Sequence, residues 1–210
     1  GTISLGLAAR GCAVTALDSA APMLEQAAAR AKAEGLAIRT KVAKAEETGF
    51  PDASFDFVIA GQCWHWFDRP RAAVEARRIL KPGGTLMMAH FDWLNLFGNV
   101  VAATEALILR YSPDWNGAGK AAPYPAWYLD LIGAGFTGRE SMSFDLDAPY
   151  THEAWRGRIR ASAGVGASLS PAKVAEFDAA HATLLARDFP AEPMAVPKPR
   201  LSATVAEDRP

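Results

Sequence analysis

The chain has 210 residues, of which half are hydrophobic and 21% are charged, a composition typical of a globular protein with a large core. Its 22 basic and 23 acidic side chains give a formal net charge of -1. This balance argues against a protein that binds nucleic acid by neutralising phosphates. No apolar run approaches the roughly 20 residues of a membrane span, so we expect no membrane partner.

The cysteines and histidines form no recognisable metal or disulfide pattern. Cys12 and Cys63 make neither a CxxC pair nor a framework, and the four histidines are scattered without HxxxH spacing. We therefore expect no metal site and a reducing, cytoplasmic location.

The first 90 residues alternate between helical and strand patterns. Apolar runs and turn residues predict three helices, at 2–10, 23–34 and 71–80, and four strands, at 12–17, 36–42, 55–60 and 85–89. Strands that alternate with helices predict parallel βαβ units of an α/β fold. Ligands of such sheets bind beyond the carboxyl ends of the strands, so the residues that follow each strand are the candidates for chemistry.

The second half of the chain has a less regular pattern. It predicts four helices and two strands, separated by a loop and a proline-rich linker: helices at 94–111, 127–134, 152–163 and 171–188, strands at 141–146 and 201–205, the loop at 112–125 and the linker at 190–199.

Asp18 ends the first predicted strand and precedes Ser19, a candidate helix cap. A carboxylate at such a strand end can accept hydrogen bonds from both ribose hydroxyls of an adenosine. It can equally serve as part of an Asp-Ser helix cap, and the spacing alone does not separate the two interpretations.

Three segments resemble one known family. The runs AEETGFPDASFDFVIAGQCWHWFD (45–68), ARRILKPGGTLMMA (76–89) and ALDSAAPML (16–24) are similar to class I S-adenosylmethionine-dependent methyltransferases. The resemblance is greatest to the type-11 methyltransferase domain, in a branch with HWF after the fourth strand that includes trans-aconitate methyltransferase-like enzymes.

The resemblance implies a Rossmann-like, doubly wound and mostly parallel sheet with strand order 3-2-1-4-5-7-6 and an antiparallel last strand. Gly1 would be the final glycine of the family's glycine-rich motif, so we expect the family's first strand to be missing from this chain. We expect one S-adenosylmethionine-binding domain over 1–210, with substrate-capping elaborations at 94–128 and 149–198.

The resemblance also implies roles for matching residues in binding the cofactor S-adenosyl-L-methionine. Asp18 would hold the ribose hydroxyls, with Ser19 and Met23 beside the adenine. The backbone N–H of Ala45 would meet an adenine nitrogen next to Glu46. Gln62 would lie near the methionine part, and Gly1 would end the glycine-rich motif.

One residue departs from the family pattern. Many relatives carry an aspartate immediately before the position of Ala45, where it binds the adenine amino group. Here that residue is Lys44.

Methyl transfer from a sulfonium needs mainly positioning and desolvation, with a base where the acceptor carries a proton. His65 is the candidate base because histidine titrates near neutral pH, and the alternative is packing between Trp64 and Trp66. Trp66, with Trp64 and Phe67, is either a wall of the substrate pocket or part of the core.

Arg156 and Arg160 are four residues apart on a predicted helix and therefore share a face. They are candidates for binding a substrate carboxylate, and the alternative is a solvated face or ion pairs with acidic residues. The aromatic segment 111–128 could cover the substrate or pack as an elaboration of the fold.

These observations together favour an enzyme that methylates a small-molecule substrate, plausibly one with a carboxylate. Two alternatives remain open at this stage. One is a nicotinamide-dependent dehydrogenase, since acidic strand ends also bind NAD ribose, and the other is a nonenzymatic binding module with a degenerate methyltransferase fold. The sequence gives no indication of oligomeric state.

Overall fold

The computed structural model describes residues 1–119 and 125–207, and it describes no side chains at 144–146 and 198–207. The chain divides into two compact units. Unit 1 comprises residues 1–89, 124–141 and 203–210, and unit 2 comprises 90–123 and 142–202. Tyr124, part of the aromatic segment discussed above, lies outside the described residues.

Seven α-helices, one short 3-10 helix and six strands make up the described residues. In chain order they are α1 (Thr2–Ala8), β1 (Val14–Asp18), α2 (Ala21–Ala33), β2 (Ile38–Val42), β3 (Phe55–Gly61), the 3-10 helix (Trp64–Trp66), α3 (Arg69–Ile79), β4 (Leu80–Phe91), α4 (Val100–Tyr111), α5 (Pro125–Gly133), β5 (Gly138–Tyr150), α6 (His152–Arg160), α7 (Pro171–Asp188) and β6 (Met194–Glu207).

The strands form two sheets. β1 and β2 pair in parallel from Val14↔Ile38 to Asp18↔Val42, and β3 and β4 pair in parallel up to Gly61↔Ala89. The larger sheet has the order β3-β4-β6-β5. If β1 to β6 are counted as the family's second to seventh strands, these orders read 3-2 and 4-5-7-6, so the predicted Rossmann-like α/β fold is confirmed.

The predicted elements of the first half are confirmed with small shifts at their ends. Residues 81–84, which lie between the predicted helix 71–80 and the predicted strand 85–89, instead form part of β4, which starts at Leu80. The register of the β3–β4 pairing shifts between Phe55 and Phe57 to accommodate these residues. Gly83 adopts the left-handed conformation there, with φ +77°.

Two predictions for the second half are wrong. The helix expected from residue 94 begins only at Val100, because Asn99 caps it by accepting the Ala102 N–H at 2.8 Å. The proline-rich linker expected at 190–199 instead runs into β6, which begins at Met194. Proline fixes φ near −65°, a value compatible with extended backbone, so prolines alone do not exclude a strand.

Each unit has its own hydrophobic core. The unit 1 core joins strands β3 and β4 to helices α3 and α5, with buried residues that include Trp64, Leu86, Leu131 and Phe136. The unit 2 core joins α4, α6 and α7 around Trp155 and Phe177. Unit 2 contains most of the two predicted elaborations, while their capping role and the single-domain organisation stay predictions.

A buried ionic network fixes the loop between β2 and β3 onto helix α3. Glu75 Oε1 accepts hydrogen bonds from the Thr48 N–H at 2.9 Å and the Thr48 hydroxyl at 2.6 Å. Arg78 donates to both Glu75 oxygens at 2.7 Å and to the Phe50 carbonyl at 2.8 Å, and it also binds Asp52. The Arg78 bonds, followed by those from Thr48, lower the pKa of Glu75 to about 2.

We predict that this network makes stability depend on pH. Because the pKa of Glu75 falls from 4.5 to about 2 on folding, its contribution is present above pH 4.5 and is lost as the pH falls towards 2. The shift corresponds to at most about 3 kcal/mol of unfolding free energy, because solvent around the partly exposed Arg78 screens the interaction. Denaturant unfolding of Glu75→Gln should therefore show a large loss at pH 7 that narrows at pH 3.

The control for this prediction is Glu47→Gln, since Glu47 is exposed in the same loop. It should unfold like the parent at both pH values. An equal loss for Glu75→Gln at pH 7 and at pH 3 would contradict the assignment to the Glu75 charge.

Candidate functional site

Asp18 lies at the carboxyl end of β1, where its partly buried side chain accepts the Ala20 N–H through Oδ1 at 2.9 Å. Ala20, not Ser19, is the N-cap residue of α2, and no side chain caps that helix, so the expected Ser19 cap is wrong. A carboxylate accepts hydrogen bonds through both oxygens. Its local bond to Ala20 is therefore compatible with a further bond to a ligand hydroxyl.

Ser19 and Met23 are both exposed at the start of α2. The Met23 side chain is 57% exposed, although methionine is a hydrophobic residue. An exposed thioether beside a strand end is chemically suited to contact a flat, polarisable ring such as adenine.

Ala45 and Glu46 belong to a tight turn after β2, closed by the Glu47 N–H to Lys44 carbonyl bond of 3.2 Å. Ala45 packs against the unit 1 core. Glu46 accepts the Asp68 N–H at 2.8 Å, which ties this turn to the start of α3. One Glu46 oxygen therefore has a structural role that the sequence did not reveal.

Gln62 follows β3 in a left-handed conformation, with φ +57°. Its N–H donates to the Ala89 carbonyl at 2.9 Å, so the bonding between β3 and β4 continues one residue past Gly61. Residues other than glycine rarely adopt this conformation, and such strain is concentrated at ligand sites. A Cβ at Gly61 would lie 2.1 Å from Ile3 Cδ1, so a larger residue there would require the exposed Ile3 side chain to move.

Of the three residues after Cys63, the first lies in the core and the other two lie at the surface. Trp64 is buried in the unit 1 core, and its Nε1 donates to Asp130 Oδ2 at 3.3 Å. His65 and Trp66 are exposed, with Trp66 73% exposed and their ring centroids 4.7 Å apart. Trp64 is thus a core residue, whereas His65 and Trp66 are accessible to a ligand.

Asp130 contacts the segment after β3, which the sequence interpretation did not predict. It lies in α5 and is 8% exposed, and Arg69 Nε approaches the same Oδ2 atom at 3.4 Å. A buried tryptophan N–H requires an acceptor, so a partner for Trp64 could be expected from the sequence. Its identity could not, because Asp130 is 66 residues away in sequence.

The thiol of Cys63, two residues after β3, is affected by the charge of Asp18 at the end of β1. Burial, reinforced by the negative charge of Asp18, raises the pKa of the Cys63 thiol to about 11. The Asp18 charge therefore acts on a residue that follows β3, although β1 and β3 belong to different sheets.

Gly1 packs closely against α2. A Cβ at Gly1 would lie 2.8 Å from Ala27 Cβ, and its carbonyl accepts the Leu5 N–H at 3.0 Å. Glycine is thus required for this approach, and a part in cofactor binding stays a prediction.

Arg156 and Arg160 converge as predicted from their spacing, but on carboxylates of the chain itself. Arg156 binds Asp178 through Nε at 3.0 Å and through Nη2, and Arg160 Nη1 binds Asp178 at 2.8 Å. Glu153 pairs with both arginines. These bonds lower the pKa of Asp178, so a substrate carboxylate would have to compete with an internal, fully ionised one.

The chain is similar in sequence to known methyltransferases. Residues 1–88 match the family model of the methyltransferase domain. A malonyl-[acyl-carrier protein] O-methyltransferase of Brevibacillus brevis is 30% identical over 165 residues, which are 74% of this chain and 56% of that protein. These similarities relate residues 1–88 of the chain to a methyltransferase domain.

Solved structures agree on the fold. The YcgJ protein of Bacillus subtilis has a TM-score of 0.56 at 18% identity, covering 94% of this chain and 83% of that one. A Haemonchus contortus phosphoethanolamine N-methyltransferase, solved with S-adenosylhomocysteine and phosphomonomethylethanolamine, has a TM-score of 0.54 at 19% identity, covering 99% of this chain and 47% of that one. The chain spans about half the length of the curated relatives it matches.

No helix among the described residues is long and apolar enough to cross a bilayer. Nor do the described residues contain a group of three or more His, Cys, Asp or Glu side chains arranged to hold a metal ion.

We predict that the Asp18 charge raises the pKa of Cys63 measurably. In a Cys12→Ser background, Asp18→Asn should lower the pKa of Cys63 from about 11, by up to about one pH unit, because the thiolate no longer faces a negative charge. The pH dependence of thiol alkylation measures this shift. Glu25→Gln, an exposed change in α2, is the control, and equal profiles for all three proteins would show that Asp18 and Cys63 are not neighbours.

Proposed function

We propose that the protein transfers the methyl group of S-adenosyl-L-methionine to a small-molecule acceptor. The observation that carries the proposal is the partly buried Asp18 carboxylate at the end of a parallel strand, within electrostatic range of Cys63 after β3. An acceptor-only group at this place suits a vicinal diol. When bound, the cofactor supplies a methyl group already activated by its sulfonium.

Each residue has a defined task in this proposal. Asp18 accepts the ribose hydroxyls, and the exposed Ser19 and Met23 flank the adenine. Ala45 offers its backbone N–H to an adenine nitrogen, with Glu46 fixing that turn through Asp68. Gln62 and Gly1 lie towards the methionine part. These assignments rest on the family resemblance together with the strand-end positions of the residues.

The acceptor would meet the exposed surface formed by His65 and Trp66. Trp66 offers an aromatic face, and His65 takes a proton where the accepting atom carries one. The resemblance of the HWF segment to trans-aconitate methyltransferase-like enzymes supports an acceptor with a carboxylate. Binding of that carboxylate by Arg156 and Arg160 is the less favoured part, because Asp178 already occupies both arginines.

The two alternative functions, a dehydrogenase and a nonenzymatic binding module, predict different ligands or activities. The comparisons do not favour a nicotinamide-dependent dehydrogenase, since residues 1–88 match a methyltransferase domain. A nonenzymatic binding module would bind the cofactor without methylating any acceptor. A cytoplasmic location and the absence of nucleic-acid partners stay predictions.

We predict that Asp18→Ala weakens binding of S-adenosylhomocysteine about 10- to 100-fold, because hydrogen bonds to a charged acceptor contribute about 1.5–3 kcal/mol. Isothermal titration measures this change. Asp56→Ala is the matched control, since Asp56 lies near the opposite, amino end of β3 and pairs with Lys81 on the surface. Equal affinities for both variants would refute the ribose assignment, and binding of NADH in place of S-adenosylhomocysteine would favour the dehydrogenase.

A second experiment addresses the acceptor. A panel of acidic and neutral small molecules, incubated with a methyl-labelled donor, should show the fastest incorporation into the acidic ones. His65→Gln should slow incorporation while leaving S-adenosylhomocysteine affinity unchanged. Fastest methylation of neutral phenols or amines would contradict the carboxylate preference, and cofactor binding without incorporation into any acceptor would favour the binding module.

A further inference from the structure

We infer that Asp130 is a positioning residue for the amino-acid end of the cofactor, acting through Trp64 on the turn 61–66. This inference rests on the proposed function. Asp130 lies in α5, beyond the residues that match the methyltransferase domain, and no comparison assigns it a role.

The first step is the chemistry of a buried indole. The Trp64 side chain is 2% exposed, and its N–H can only donate. A buried donor without a partner is costly, and Asp130 Oδ2 supplies the acceptor at 3.3 Å. Arg69 Nε, 3.4 Å from the same oxygen, balances the buried carboxylate charge.

The second step is the rigidity of the platform that carries Asp130. Helix α5 contributes Trp127 and Leu131 to the unit 1 core. Its end is also held to α3, because Arg77 Nη1 donates to the Ala134 carbonyl at 3.4 Å. Asp130 therefore presents its carboxylate from a fixed helix to the short 3-10 helix that begins at Trp64.

The third step links Trp64 to Gln62. The left-handed φ of Gln62 is unfavourable for a residue with a side chain, so it persists only where the surrounding structure enforces it. On one side, the bond from the Gln62 N–H to the Ala89 carbonyl holds the turn. On the other side, two residues later, the Trp64 to Asp130 bond holds it. Loss of the second anchor lets Gln62 relax to an unstrained conformation.

This arrangement separates two parts of the ligand. The resemblance places Gln62 by the methionine part, whereas Asp18, on a different strand, serves the ribose. Asp130 should therefore affect binding of S-adenosylhomocysteine, which has the amino-acid part, and spare 5′-methylthioadenosine, which lacks it. A purely structural role would weaken both ligands alike or neither.

The test compares the affinities of these two ligands in three variants. Asp130→Leu and Trp64→Phe each remove the hydrogen bond and leave an apolar side chain at the position, and each should weaken S-adenosylhomocysteine binding about fivefold. Both should leave 5′-methylthioadenosine binding within about twofold of the parent. Asp130→Asn keeps an acceptor for Trp64 and should recover most of the affinity for S-adenosylhomocysteine. This variant, together with Trp64→Phe, still tests the proposal if Asp130→Leu fails to fold.

Arg77→Ala is the matched control, because it loosens α5 without touching the turn 61–66. It should lower the melting temperature and leave the ratio of the two affinities unchanged. Equal losses for the two ligands in Trp64→Phe, or no loss for either, would overturn the positioning role. A parent protein that binds neither ligand would instead overturn the proposed function, and the positioning role with it.

Discussion

Parallel pairing of strands is the constraint on which the candidate site depends. Because β1 pairs in parallel with β2, and β3 with β4, the carboxyl ends within each pair lie at one edge of their sheet. Asp18 and Gln62 occupy two of these ends. The roles that we propose for them depend first on position and second on side-chain chemistry, since a carboxylate in mid-strand could not reach a ligand beyond the strand ends.

Buried polar groups then shape the loops that follow the strands. Glu75 binds the loop after β2 to α3, Glu46 connects the turn 44–47 to the same helix, and Asp130 holds Trp64 after β3. The Glu75 and Asp130 carboxylates satisfy donors that would otherwise be buried and unpaired, whereas the bond from the Asp68 N–H to Glu46 is exposed. The loops that carry candidate ligand-binding residues are thereby held by specific bonds in addition to hydrophobic contact.

The fold and the strand-end residues were predictable because their signals are local. Apolar runs bounded by glycine and proline, such as Gly35 and Pro82, locate the strands of the first half within a few residues. Asp18 and Gln62 could be chosen because they directly follow such runs. The family resemblance supplied the strand order, which local patterns cannot give.

Other features could not be predicted because they depend on contacts between distant residues. The Trp64 to Asp130 bond and the pairing of Arg156 and Arg160 with Asp178 join residues 18 to 66 positions apart. The strand from Met194 was missed because prolines usually indicate a linker, although their backbone geometry is compatible with extended structure. Sequence spacing correctly predicted that the two arginines share a face, but it could not show what that face binds.

A crystal structure of the protein soaked with S-adenosylhomocysteine tests the central claim most directly. The account predicts that both ribose hydroxyls lie within hydrogen-bonding distance of the Asp18 carboxylate, with the amino-acid end beside Gln62. A ribose bound elsewhere, with the Asp18 carboxylate bonded only to Ala20, would contradict it.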